Sequence, residues 1–431
     1  MLMNNVNRIL SLITNVALGF LLMSCNAKNI AAPVTVESSS TRSPSSTVSQ
    51  TQIIPTNTQQ NLVDPVENRC VKTVPIEWFS LDVNGFLLMY SVDPYVPYLS
   101  DLLNSNKKEL RFEPGIAPYD IIVSPDRKLV AMTMSTIAPP SQTTKLLIAD
   151  TAGVTQKEFV WKSEWGRIAA WLDNHRVLIA KQADLQLSIY NPETVILLDI
   201  NTGQGVEIQA TYPDLNHVEY VNWNLINYMY SPDFTRVLYP TSRVDPGYVN
   251  YVALWDIANE QVLATLPVEL SETSLPQWSP DGSRVLISGL ASKPGEKSSA
   301  WRGQELFTID ANGKVTRLTH FTDYYPGNIT IEDYTWSPDG QNIAFWLQTE
   351  QMNDPQLVTF NVSSGKAINH CISALPFHSA SRPIWSPLGD YLVIDHPKPG
   401  TDVSQTLLMN ISQNAVTQIG ESVTPVGWMV P

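Results

Sequence analysis

The residues of this chain that could do chemistry are few and widely spaced. Three cysteines stand at positions 25, 70 and 371. Cys70 and Cys371 would pair in an oxidising compartment, tying the start of the folded region to a point far along it. Such a bridge contributes roughly 5 kcal/mol at most by the chain-entropy estimate; two buried free thiols are the alternative. No Cys-x-x-Cys or paired-histidine spacing accompanies them, so no metal ligands are assigned. The six histidines are scattered. His320 with Asp323 and Asp333 is the grouping that could be drawn as an acid/base or metal cluster, although a lone histidine near a strand end is more often structural. Gly-x-Ser-x-Gly, His-Glu-x-x-His, the Walker loop and Gly-x-Gly-x-x-Gly are missing. No catalytic residue and no cofactor are therefore assigned. What remains is aromatic: Tyr95, Tyr98, Tyr212, Tyr220, Trp223, Trp301, Tyr324 and Tyr325, set among Asp93, Asp214, Glu219, Asp323 and Asp333. Aromatic side chains give large contact area at small entropic cost, which suits recognition of a protein or a glycan.

The elements that must position these residues begin after a leader. Arg8 precedes a mostly apolar stretch, Ile9 to Met23, too short and too often interrupted by Ser, Thr and Asn to span a membrane comfortably. It ends in Leu22-Met23-Ser24-Cys25, which resembles the lipobox of bacterial lipoproteins. That resemblance implies a signal peptide over 1–24, lipid on Cys25, and a chain held at a membrane outside the cytoplasm. Asn26, where an Asp would favour inner-membrane retention, leans toward the outer membrane or cell surface. From Ser38 to Asn61, 20 of 24 residues are Ser, Thr, Pro, Gln or Asn. Such a composition cannot bury enough apolar area to offset chain entropy, so 25–69 reads as a lipidated cysteine and a disordered tether.

From residue 70 onward the chain repeats itself. Trp278-Ser279-Pro280-Asp281-Gly282, Trp336-Ser337-Pro338-Asp339-Gly340 and Trp385-Ser386-Pro387-Leu388-Gly389 each precede a short apolar run. Weaker copies stand at Val123, Trp171 and Tyr230, a degenerate one at Phe79, and Trp428 closes the series. The intervals are 44, 48, 59, 48, 58, 49 and 43 residues, the period of a four-stranded propeller blade. Ser-Pro-Asp-Gly is turn chemistry: Pro presets φ, Asp accepts local backbone N–H groups and Gly takes the left-handed position. Third strands follow, each ending in Asp or Asn, as at Leu306 to Asp310. The repeated Trp is expected to pack between blades.

These residues resemble the TolB-like, Pro-Asp type of WD40-like repeat over roughly 71–431. The resemblance implies an all-β fold, a single β-propeller of four-stranded blades at 70–431. Second-strand runs near Phe86, Leu129, Val177, Val237, Val285, Ile343 and Leu392 favour seven blades, with six or eight as alternatives; either Ile76 to Phe79 or Val426 to Val430 closes the ring. In such a ring the Ser-Pro-Asp-Gly turns share one rim. The long segments, placed at Ser91 to Lys108, Thr211 to Asn227, Ala291 to Gly303 and Thr322 to Asp333, fall on the other, where binding residues concentrate.

A formal charge of −14 excludes a generic phosphate-backbone binder, and an apolar fraction of 43% excludes global disorder. The expectation is a lipid-anchored, non-catalytic module of the cell envelope, without a nucleic-acid partner. It would bind a protein or glycan through Tyr212, Tyr220, Trp223, Trp301, Tyr324 and Tyr325. The rival is an extracytoplasmic carbohydrate-active hydrolase or lyase with carboxylates at the channel mouth. Tyrosine- and proline-bearing loops that simply plug the channel are the plainest reading of the same residues.

Overall fold

The computed structural model describes residues 64–431 except 80–84, 93–94, 103–105, 111–117, 136–142, 163–164, 183–193, 209–229, 243–249, 269–274, 292–302, 375–381 and 398–402. Among the described residues no helix is long and apolar enough to cross a membrane.

Alternating apolar runs separated by tight turns pair into seven antiparallel sheets. Numbered by their second strands, the blades are built on Phe86–Val92, Leu129–Ser135, Arg176–Gln182, Arg236–Ser242, Arg284–Ala291, Asn342–Thr349 and Tyr391–Pro397. These are the seven runs expected from the sequence. Blade 4 has three strands plus a single bridge, Tyr230 to Val237. The ring closes through the C-terminal strand Val423–Met429, which is the innermost strand of blade 1 and pairs with Phe86–Val92. The other candidate, Ile76 to Phe79, is no strand. Ile76–Trp78 is a 3-10 turn, and Phe79 is buried between blades 7 and 1.

Apolar clusters bridge each neighbouring pair of blades and complete the circle. Leu88 and Met429 of blade 1 meet Val130 and Met132 of blade 2, for example, and Leu286 and Leu306 of blade 5 meet Ile331 and Phe345 of blade 6. The repeated Trp adds a directional link. Trp171, Trp336 and Trp385 donate Nε1–H to the backbone oxygens of Ile122, Gln277 and Thr335 on the preceding blade, at 3.0, 3.3 and 3.3 Å.

The turn chemistry is realised atom by atom. Ser279 Oγ donates to Asp281 Oδ1 (2.6 Å) and accepts from Arg284 N (3.2 Å), while Gly282 sits at φ +68°. The same pattern recurs at Ser124, Ser231 and Ser337. In blade 7, where Leu388 replaces the Asp, Asp390 takes its place and accepts from Ser386 Oγ at 2.7 Å.

Two expectations of loops are corrected. Ser91 to Lys108 is mostly sheet: Tyr95–Asp101 and Asn106–Glu109 are the third and fourth strands of blade 1, and Tyr98 is buried. Pro97 disguises that strand; it has no N–H to give the ladder, and its oxygen accepts from Leu110 N at 2.9 Å. Likewise Asp333 lies within the strand Ile329–Trp336.

Upstream of the ring, two short strands lie on its outer wall. β1 (Val66–Asn68) pairs parallel with Lys366–Ser373, the outermost strand of blade 6, and β2 (Lys72–Thr73) pairs parallel with Ala415–Glu421 of blade 7. β1 precedes Cys70, where the tether was expected to end. Cys70 and Cys371 are disulfide-bonded with Cα atoms 4.8 Å apart, so the pairing read from the cysteine count is present.

Candidate functional site

The innermost strands of blades 5, 6 and 7 bring a charged group together. Asp333 precedes Trp336 by three residues, and Arg382 precedes Trp385 by the same interval. The shared spacing sets the two at one level on adjacent blades. The strand Ile329–Trp336 carries a bulge between Glu332 and Thr335, where Asp333 adopts φ +49°. A non-glycine residue in the left-handed region is held there by its surroundings, and such positions cluster at functional sites. Burial raises the Asp333 carboxyl, and adjacent Glu332 adds to this, while the Arg382 guanidinium opposes it; the outcome is a carboxyl pushed up to about 7. The Gln277 side-chain oxygen, in the orientation that satisfies both groups, accepts from Arg382 Nη1 at 2.5 Å and from Nη2 and Nε at 3.3 Å. Tyr334, fully buried beside Asp333, has its phenol raised chiefly by burial. A carboxyl that exchanges its proton near neutrality, next to a carboxylate and a fixed guanidinium, is equipped for acid/base work.

Asp120 holds the corresponding place in blade 2, three residues before Val123. It is consumed internally, accepting from Thr133 Oγ1 at 2.7 Å. In blades 3 and 5 the same level is apolar, at Ile168 and Leu275.

The strands around the longest connections end on the rim opposite the Ser-Pro-Asp-Gly turns. Tyr212, Tyr220, Trp223 and Trp301, with Asp214 and Glu219, lie outside the described residues, as does Asp93. The connection between blades 5 and 6 is described. It contains a one-turn helix, α1 (Phe321–Tyr324), seated on Glu305. That carboxylate is fully buried and accepts from Arg317 Nη2 (2.9 Å), Thr322 N (2.6 Å) and the Thr319 hydroxyl. Arg317 also donates to Asp323 Oδ1 at 3.2 Å, and Asp323 Oδ2 lies 3.1 Å from His320 Nδ1. The His320 hydrogen bond, with help from Arg317, holds the Asp323 carboxyl below its ordinary range. His320 and Asp323 are thus together as drawn from the sequence, but on an arginine-anchored turn, whereas Asp333 sits on the innermost strand with Arg382. Tyr324 is half-buried and packs edge-on against Tyr325 at 4.9 Å. Tyr325 is buried, and its hydroxyl donates to Asp64 Oδ1 at 2.7 Å.

Arg382, Gln277, Glu332, Glu305 and Arg317 were not singled out from the sequence. Aligning the repeats on their Trp and reading three positions upstream would have found Arg382 beside Asp333. No comparable signal marks Glu305.

No family model matches the chain, and no curated relative does. Among solved structures it is similar to TolB from Acinetobacter baumannii, with 15% identity over 78% of this chain and 79% of that one and a TM-score of 0.40. It is also similar to an oligogalacturonate lyase in complex with manganese (11% identity, 80% and 85% covered, TM-score 0.46). A prolyl endopeptidase matches at 16% identity and TM-score 0.47, over 78% of this chain and 48% of its own. These likenesses carry no argument about function. The propeller rests on the strand order above.

Proposed function

We propose that this chain is an extracytoplasmic, lipid-anchored β-propeller that binds an envelope protein or glycan through its loop-rich rim. The observation that carries the reading is the contrast between the rims. On one, serine and aspartate side chains are consumed in capping tight turns. The strands that flank 183–193, 209–229, 292–302 and 375–381 end on the other; these segments lie outside the described residues, and two of them hold Tyr212, Tyr220, Trp223 and Trp301 in sequence. A rigid ring presenting long aromatic connections on one side is a recognition scaffold. The Cys70–Cys371 bond supports an oxidising compartment, and the lipobox-like Leu22 to Cys25 supports the anchor. Replacing Trp223 and Tyr324 by Ala should abolish retention of envelope partners while leaving the ring folded; partners retained by that variant would contradict the reading. For the anchor, a palmitate analogue should label the natural chain and not Cys25→Ser, and equal labelling would overturn it.

One observation favours a second reading, an extracytoplasmic carbohydrate-active hydrolase or lyase. Asp333, raised to about 7 beside Glu332 and Arg382, is a competent general acid or base. Turnover in a polysaccharide panel that vanishes in Asp333→Asn would establish it.

A further inference from the structure

The outer edges of blades 6 and 7 carry the chain's own strap, β1 and β2, and its ladder there is short. β1 contributes three paired positions and β2 two. Of those five side chains only Val66 is buried. One covalent bond reinforces this strap.

That bond is placed for attack. Cys70 and Cys371 are both exposed residues. Cys371 stands at φ +58°, a backbone conformation that L-residues rarely adopt. The outermost strand of blade 6 bulges to hold it there, with Gln356 opposite Ser373 and Val358 already opposite Asn369. Arg69 precedes Cys70, and Lys366 lies on the same edge. Both pair with Glu67, at 2.9 and 2.5 Å.

Beneath the strap, the bond's neighbours form a chain of contacts. Asn414 Nδ2 donates to the Cys70 oxygen at 2.8 Å, and Asn414 Oδ1 lies 3.2 Å from His370 Nδ1. His370 Nε2 meets Thr359 Oγ1 at 2.8 Å, and the His370 oxygen accepts from Val71 N at 3.1 Å. His370 is only 1% exposed, and burial holds its imidazole down at about 4. Covering His370 is thus part of what the strap does.

We propose that Cys70–Cys371 is a reducible clasp, opened by thiol–disulfide exchange with a dithiol protein of the same compartment, and that opening it releases the strap from blades 6 and 7. One thiolate of the reductant attacks a clasp sulfur. The S–S bond breaks as a mixed disulfide forms, and the other cysteine leaves as a thiolate and takes up a proton. The reductant's second thiol then displaces the bound cysteine. Two electrons and two protons end on Cys70 and Cys371, and the reductant departs as a disulfide. With the strap free, β1 and β2 leave the edges of blades 6 and 7, and His370 meets water.

The test uses the purified full chain, so its outcome is independent of where the protein resides. Folded protein is treated with dithiothreitol without denaturant, and amide exchange is followed over 64–74, Lys366–Ser373 and Ala415–Glu421. The His370 ring is titrated by NMR in both states. The proposal predicts exchange at least about tenfold faster in those segments, with the inner strands of blades 2–5 unchanged. His370 should return from about 4 toward the ordinary histidine range near 6.5. The double variant Cys70→Ser, Cys371→Ser should reproduce the reduced state; if that variant fails to fold, the reduced natural chain decides. A bond that resists native reduction would overturn the proposal. So would a strap and His370 unchanged after reduction, or collapse of the whole ring.

Discussion

The Arg382 guanidinium of blade 7 reaches the side-chain oxygen of Gln277 on blade 5, with Nη1 at 2.5 Å, and so spans the position of blade 6 between them. Asp333, on that intervening blade, has its proton affinity lowered by this cation and raised by burial and Glu332. Arg382→Gln should therefore move the Asp333 carboxyl above about 7. A carboxyl-carbon NMR titration reads this directly. An unchanged midpoint would mean that the guanidinium does not act on Asp333.

Asp333 also fixes a pH dependence of stability. Its folded value of about 7 lies above the ordinary aspartate value of 3.8. The stability linked to its proton is complete below 3.8 and is lost as pH rises through about 7. Asp333→Asn fits the same left-handed backbone, because Asn tolerates positive φ. The variant should match the natural chain near pH 4 and exceed its thermal midpoint at pH 8. Parallel melting curves at both pH values would contradict the assignment.

His370 predicts the opposite slope. Its folded value of about 4 lies below the ordinary 6.5, so its contribution is complete above 6.5 and is lost as pH falls through about 4. In the oxidised protein, strap amides should become less protected across that window, measurably so by hydrogen exchange. His370→Gln should flatten the dependence.

The turns offer a cleaner stability test. Ser337→Ala removes a hydroxyl that donates to Asp339 and accepts from Asn342 N at 2.8 Å, costing about 1–2 kcal/mol. Gly282→Ala meets no atom nearer than Pro232 at 3.4 Å. Its cost, about 1 kcal/mol, comes from φ +68° alone. Glu305→Gln is the severe change: it leaves Arg317 without its buried counter-charge and should cost about 3 kcal/mol or more, concentrated at α1. Chemical denaturation should find Glu305→Gln the most costly of the three and Gly282→Ala the least.

Local chemistry explains how much of this was legible. Seven blades could be read because Ser-Pro-Asp-Gly and the preceding Trp carry their own turn and packing instructions, independent of distant residues. The third strand of blade 1 was hidden by Pro97 and by tyrosines that also suit loops. The strap was hidden because β1 and β2 are short and mostly exposed, and their pairing depends on edges supplied some 300 residues later, as the 301-residue separation of Cys70 and Cys371 indicates. Sequence proximity groups the Asp333 carboxyl with His320 and Asp323. The carboxyl's partner Arg382 stands a whole blade away and becomes visible once the repeats are aligned on Trp336 and Trp385.

Site-specific photocrosslinking in the native envelope reads out whether the loop-rich rim is the binding surface. A photoreactive amino acid is placed at Trp223 or Trp301, in the long connections, and at Asp281 or Asp339 on the turn rim. Discrete adducts are expected from positions 223 and 301 and none from 281 and 339. Adducts from the turn rim, with positions 223 and 301 silent, would contradict a binding role for the loop-rich rim.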